Sequence, residues 1–253
     1  MKKAVLIITS LMLTMSSFSQ KIDANYVKNL YSKYPTTKSS LCPACKEWVN
    51  PFYKSIADTQ KHMPIVEYEY FTKENYAKVS TLKVPRTGIY AAWHPVLGQP
   101  NEDNVYTAAN KVVKEKGGEI AKGHVECWIL NAFSYDAAIL SDTYTFNAAL
   151  EEQRQNVGTE IATENLTRKL LETQDVEVWG GTYGSQGTFT DGKITDTYPS
   201  HYWKIIKYGT IIRCWWMPNL PTETQTILPQ REITEQQLIV NLGFDPRKIF
   251  PGK

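Results

Sequence analysis

The chain has 253 residues, 42% of them hydrophobic and 21% charged, with 28 basic side chains against 26 acidic ones. That length suits one sizeable domain, or a core with an N-terminal elaboration, and the near-balance excludes a protein that holds an acidic polymer by overall charge.

Residues 1–19 read as a secretory leader. Lys2-Lys3 is the basic start, Ala4 to Met15 the apolar run, and Ser17-Phe18-Ser19 the small-x-small cleavage site before Gln20. The run is shorter than the roughly 20 residues a bilayer span needs, and no cysteine follows it to take a lipid. The mature protein is therefore expected to be exported, periplasmic or secreted, with no membrane attachment. Loss of Lys2 and Lys3 leaves 26 basic and 26 acidic residues. Any grip on a polyanion must then be local, and Lys111, Lys114, Lys116 and Lys122 form a candidate cluster that reads equally well as a solvated helix face.

Asp23 to Tyr34 reads as a short helix. Residues 35–62 carry polar turns and Cys42-Pro43-Ala44-Cys45, whose spacing favours a local disulfide ahead of free thiols, a metal or redox chemistry. Met63 to Tyr70 and Gly88 to Trp93 read as strands, and His94 to Asp103 as a loop. Val105 to Lys116 reads as a helix stopped by Gly117-Gly118, and residues 119–147 as a loop bearing His124. A helix from near Asn156 to Thr173 turns Ile161, Leu166, Leu170 and Leu171 inward. Strands follow at Val176–Thr182, His201–Tyr208 and Thr210–Met217, the last two joined at Gly209, with Gly184 to Tyr198 as a loop. Strands and helices without regular alternation predict an α+β fold with a largely antiparallel sheet. Cys127 and Cys214 are further cysteines whose pairing spacing does not settle.

One constellation carries chemistry. Gly123-His124 is followed by Asn147, Asn156-Val157-Gly158, Glu164 and Arg168. On a continuous helix Asn156, Glu164 and Arg168 fall within an arc of about 120°. A neutral imidazole can take a proton from water, amide and carboxylate oxygens can hold a hard dication, and a guanidinium can fork onto a phosphate. Together these suit metal-assisted hydrolysis of a phosphodiester.

Ala121-Lys122-Gly123-His124, Phe146-Asn147, Asn156-Val157-Gly158, Glu164 and Arg168 resemble, in order, the signature of the DNA/RNA non-specific endonucleases of the ββα-metal class. Tyr198-Pro199 through Ile206, Met217-Pro218-Asn219 and Ile233 through Phe244 extend the likeness, which spans roughly residues 115–250. The resemblance implies a ββα-metal core over residues 115–253, with a central mostly antiparallel sheet flanked by helices. Before it stands a divergent segment, 20–114, packed on the core. It implies His124 as general base, Asn156 as ligand of Mg²⁺ or Mn²⁺, and Glu164 and Arg168 as catalytic partners. Lys122 and Asn147 become substrate contacts, and DNA and/or RNA the substrate. Ala121 and Lys122 stand where the family has Asp and Arg, so the box keeps a charge but loses a fork and its carboxylate brace. Reduced activity, or a nuclease fold that only binds nucleic acid, is the competing expectation. Glu126 is a candidate replacement brace if it is not simply solvated, and a thiol-redox role for Cys42 and Cys45 is the third reading.

Overall fold

The computed structural model describes residues 23–82, 84 and 100–253. The expected strand Gly88–Trp93 and most of the loop after it lie outside those residues.

The described chain begins with α1 (Ala24–Ser32), then β1 (Thr37–Lys38), β2 (Cys45–Val49), β3 (Tyr53–Asp58), β4 (Met63–Phe71) and α2 (Lys73–Leu82). Next come α3 (Asp103–Lys114), β5 (Ile120–His124), α4 (Trp128–Asn131), α5 (Tyr135–Ser141), β6 (Ala148–Glu152), α6 (Gln153–Gln155) and α7 (Ile161–Leu171). The remainder is β7 (Val176–Tyr183), β8 (Gly187–Thr190), β9 (Thr195–Tyr198), β10 (His201–Tyr208), β11 (Ile211–Pro218), α8 (Leu228–Arg231), β12 (Glu232–Ile233), α9 (Glu235–Leu242) and α10 (Pro246–Ile249). Eight strands form an antiparallel sheet in the order β1-β2-β3-β4-β7-β10-β11-β12, while β5–β6 and β8–β9 are separate ribbons. The expected α+β fold with an antiparallel sheet is what the chain adopts.

Strand alternation divides the sheet's two faces. Val66, Tyr68, Trp179, Trp203, Ile205 and Cys214 pack with Leu238 and Leu242 of α9 and with Phe250. On the other face Val178, Tyr202, Ile206, Trp215 and Met217 pack with Val125, Leu130 and Leu171. The second face carries the β5–β6 ribbon and α7. A further cluster at the sheet's far end joins Val27 and Tyr31 of α1 to Trp48, Tyr53, Leu140 and Phe146. Trp215 is thus core, and Trp216 on the opposite face stacks on His201 with ring centroids 4.7 Å apart. Cys42 and Cys45 form the expected disulfide, Cα atoms 4.9 Å apart, while Cys127 and Cys214 are buried free thiols.

Four expectations need correcting. Residues 35–62 hold β2 and β3 rather than only turns, and Gly184–Tyr198 holds the β8–β9 hairpin. The segment 119–147 contains β5, α4 and α5 in place of a loop. The helix expected from Asn156 is broken: a wide π-type turn, Asn156–Glu160, precedes α7, and Gly158 has φ −97° and ψ −108°. No described helix is long and apolar enough to cross a membrane.

Candidate active site

β5 pairs with β6 so that Lys122 faces Leu150 and His124 faces Ala148 across the ribbon. Residues two apart on a strand point the same way, so Lys122 and His124 share a face. Gly123 between them points at the sheet, where a Cβ would lie 2.4 Å from the Glu151 Cβ and 2.6 Å from the Tyr202 hydroxyl. Only glycine lets the ribbon sit this close. After β6 the chain turns directly into α6, the π-type turn and α7, giving strand, strand and helix around one cleft. A Cβ on Gly158 would meet the backbone carbonyl of Glu223 at 2.7 Å, so the Asn-x-Gly turn is pinned against that strap by the missing side chain.

The cleft, about 400 Å³, is lined by Lys122, His124, Trp128, Asn156, Glu164 and Arg168 among others. Five of the six residues expected to act are therefore together. The sixth, Asn147, is not in the cleft. It is fully buried, its Oδ1 accepting from the Glu126 N–H at 2.7 Å and its Nδ2 donating to the carbonyls of Glu126 and Ser141. It clamps the chain just after His124 to the end of α5.

That clamp matters because the residue after Ser141 is Asp142. The Asp142 Oδ1 lies 3.0 Å from His124 Nε2, and both side chains are buried. The carboxylate selects the tautomer protonated at Nε2 and leaves Nδ1 as the basic nitrogen. Glu126, the candidate replacement brace, does not take this place and is not solvated either; it lies beneath the cleft, 1% exposed. Asp142 carries no motif around it, and nothing in the sequence singled it out. Asp142→Asn is expected to keep the hydrogen-bonded geometry but favour the wrong tautomer, lowering turnover by about 10²-fold or more with little change in substrate affinity, measurable by single-turnover cleavage. Turnover equal to the parent would remove Asp142 from the account.

Lys122 is also supported from outside its box. Its ammonium is 2.7 Å from Asp103 Oδ1 and 4.8 Å from the Tyr144 ring centroid, and Tyr144 donates its hydroxyl to the same carboxylate. Partial burial raises the Asp103 pKa, but Lys122 and Tyr144 outweigh it and hold the carboxyl below its ordinary value. Arg168 approaches Glu164 only loosely, at 3.5 Å. The Asn156 carboxamide makes no hydrogen bond within the described residues. An open carboxamide beside a carboxylate suits a hard dication that keeps most of its waters.

Below the cleft, Glu67 and Glu69 of β4 and Lys204 of β10 point from the sheet toward the ribbon, meeting Glu126, Glu151 and Glu160. Lys204 is 3% exposed and ion-paired with Glu160. Neither Glu67 nor Glu151 has a hydrogen-bond partner for either oxygen. Burial raises the carboxyl pKa values of all five, Glu126 to about 8 despite the pull of Lys204. A raised carboxyl pKa means the fold keeps protons that the unfolded chain releases, so stability is full below about pH 4.5 and is lost as pH rises through about 8. The thermal midpoint is therefore expected to fall between pH 5.5 and 8.5, and Glu126→Gln to flatten that fall. A midpoint that rises over this window contradicts the buried protons.

The model of the DNA/RNA non-specific endonuclease family matches residues 36–238. The chain belongs to that family. The match takes in β1–β4, so this endonuclease builds one sheet from segments on both sides of residue 115. Among solved structures, 127 chains match. One is a crystal structure of an EndoG/EndoGI complex, described as giving the mechanism of EndoG inhibition; it is 15% identical with a TM-score of 0.58, covering 78% of this chain and 83% of that one. At that identity the likeness speaks for the fold alone, the ββα-metal arrangement. No individual curated protein matches this endonuclease.

Proposed function

We propose that the protein is an exported, divalent-cation-dependent endonuclease that hydrolyses DNA and RNA phosphodiesters without sequence preference. The observation carrying this reading is the single cleft that gathers the His124–Asp142 pair, the Asn156 carboxamide, the Glu164 carboxylate and the Arg168 guanidinium.

Asn156, with Glu164 through water, would hold Mg²⁺ or Mn²⁺. When bound, the ion neutralises charge building on the phosphate and on the leaving oxygen. His124 takes the proton of the attacking water on the ring nitrogen turned away from Asp142, and Asp142 steadies the imidazolium that results. The water oxygen bonds to phosphorus as the bond to the 3′-oxygen breaks, leaving a 5′-phosphate and a 3′-hydroxyl. Arg168 and Lys122 hold the phosphate being cut. A groove along α3 shares Lys122 with the cleft and adds Lys111 and Lys114 against Asp103 and Glu119, a small local excess of positive charge that a backbone could follow in a chain with little net charge.

Export rests on the leader at residues 1–19 and is consistent with the Cys42–Cys45 disulfide, which an oxidising compartment preserves. The test of function is cleavage of supercoiled plasmid and of RNA by mature protein with Mg²⁺ or Mn²⁺, and its loss with chelator. Binding without cleavage under every condition would instead support a nuclease fold that has kept only its grip. Asn156→Ala is expected to raise the Mg²⁺ concentration needed for half-maximal rate about tenfold or more, since a ligand is lost and the base is not. An unchanged cation requirement would place the ion elsewhere.

A further inference from the structure

A second group of metal-type ligands lies away from the cleft and has no part in the mechanism above. His62, in the β3–β4 turn, Glu102, at the N-terminus of α3, and Asp196, on β9, each offer a ligand atom within 4.8 Å of the others'. It is the one such group among the described residues. Its members are brought together from 62, 102 and 196 in the sequence, so the fold assembles it rather than a local motif. Glu102 and Asp196 are each 1% exposed.

Their hydrogen bonding is incomplete. Asp196 Oδ1 lies 2.6 Å from His62 Nδ1, and Glu102 Oε1 accepts from the Thr145 hydroxyl at 2.6 Å. The other oxygens, Asp196 Oδ2 and Glu102 Oε2, are buried with no partner outside the pair, where the two carboxyls lie close enough to hold one proton between them, and the nearby Tyr106 hydroxyl has none. Once both are ionised, two buried carboxylates side by side repel and keep much of their desolvation cost. His62 also sits at φ 52°, a conformation that residues other than glycine rarely adopt. The turn is held there by Asp58, whose Oδ1 accepts from the N–H groups of Gln60 and Lys61, and by Thr197, which donates to the Lys61 carbonyl at 3.0 Å.

We propose that His62, Glu102 and Asp196 form a structural site for a first-row transition dication, with zinc as its occupant. One imidazole and two carboxylates are borderline donors, which suit zinc better than Mg²⁺ or Ca²⁺. A dication offsets both carboxylate charges and engages the buried oxygens, and binding releases any proton the two carboxyls share. The ion ties three segments together at the start of α3. The next residue, Asp103, holds Lys122 and Tyr144 at the edge of the cleft, so the tie also sets the position of Lys122.

The experiment uses the full mature chain carrying Asn156→Ala, stripped with chelator and titrated with Zn²⁺ against a chromophoric competitor. One equivalent is expected to bind, with its X-ray absorption showing one imidazole and otherwise oxygen ligands. The thermal midpoint should rise by about 5 °C or more at roughly a hundredfold excess over the dissociation constant. Asp196→Asn and Glu102→Gln should each weaken binding about 100-fold or more, because loss of even an outer-shell partner costs about tenfold to a hundredfold. The stripped variants should melt no lower than the stripped parent, since each loses a buried repulsion. Absence of tight binding by the parent, a shell with sulfur or several imidazoles, or binding lost in His124→Ala but kept in Asp196→Asn would overturn the site. None of these readouts depends on nuclease activity, so the site and the proposed function fail separately.

Discussion

Replacing His124 with alanine is expected to lower the single-turnover rate of plasmid cleavage by about 10³-fold or more while leaving the cation requirement close to that of the parent. Among the described residues the ring is the only imidazole lining the cleft, and no other lining side chain there combines a basic nitrogen with a carboxylate fixed at 3.0 Å behind it. Loss of general-base catalysis accounts for about 10² to 10⁴ in rate, and Asp142 left behind cannot substitute because it lies on the far side of the ring. Added imidazole is expected to recover part of the rate by entering the vacated space. If His124→Ala cut plasmid as fast as the parent, proton removal would have to lie elsewhere, and the His124–Asp142 pair would be structural.

The second large effect concerns stability. Lys204 is the cation among Glu67, Glu126, Glu151 and Glu160, and burial alone would drive its proton off. Glu160 foremost, then Glu126 and Glu164, reverse that and hold the Lys204 pKa above its ordinary value. Lys204→Met keeps most of the side-chain volume and removes the charge, leaving Glu160 buried without its partner. Breaking a buried pair in this way costs about 3–5 kcal/mol. For a chain of this size that lowers the thermal midpoint by about 10 °C. Lys204→Met with Glu160→Gln should recover a good part of the loss, because the orphaned charge goes too. A Lys204→Met protein as stable as the parent at pH 7 would mean that Glu160 too is already protonated and that Lys204 carries no structural charge.

Much of the catalytic half of the chain was legible in its order of residues. Gly123-His124, Asn156-Val157-Gly158, Glu164 and Arg168 converge on one cleft because a two-stranded ribbon leading into a helix brings its strand end and helix start together. The strands Val176–Tyr183, His201–Tyr208 and Ile211–Pro218 were readable from their β-branched and aromatic runs. Of the N-terminal strands, β4 was read almost to its bounds as Met63 to Tyr70, but β2 and β3 were not. β3 buries Ser55 and Asp58 beside Ile56 and Ala57, so no alternation of polar and apolar residues survives to mark it. The helix break at Gly158 was hidden as well, since it depends on the Glu223 backbone, which is distant in sequence.

The site's supporting residues were the least visible part. Asp142 and Asp103 serve His124 and Lys122 from α5 and α3, and a carboxylate that acts through a tertiary contact has no spacing to betray it. Asn147 occupies the expected place in the motif order, yet spacing could not distinguish a side chain that lines the cleft from one buried against the backbone beside His124. The buried glutamates gave no signal for a related reason. Glu67 and Glu69 alternate with Val66 and Tyr68 as the polar face of a strand would, and only the ribbon packed over them turns that face into an interior.

The most direct measurement is the single-turnover rate of duplex cleavage as a function of Mg²⁺ concentration, taken for the parent, His124→Ala and Asn156→Ala under identical conditions. The account predicts two separable defects: His124→Ala reaches a far lower plateau at the parent's half-saturating Mg²⁺, whereas Asn156→Ala needs much more Mg²⁺ for its half-maximal rate. Cleavage by the parent that persists in excess chelator, or two variants that leave both plateau and half-saturation unchanged, would contradict it.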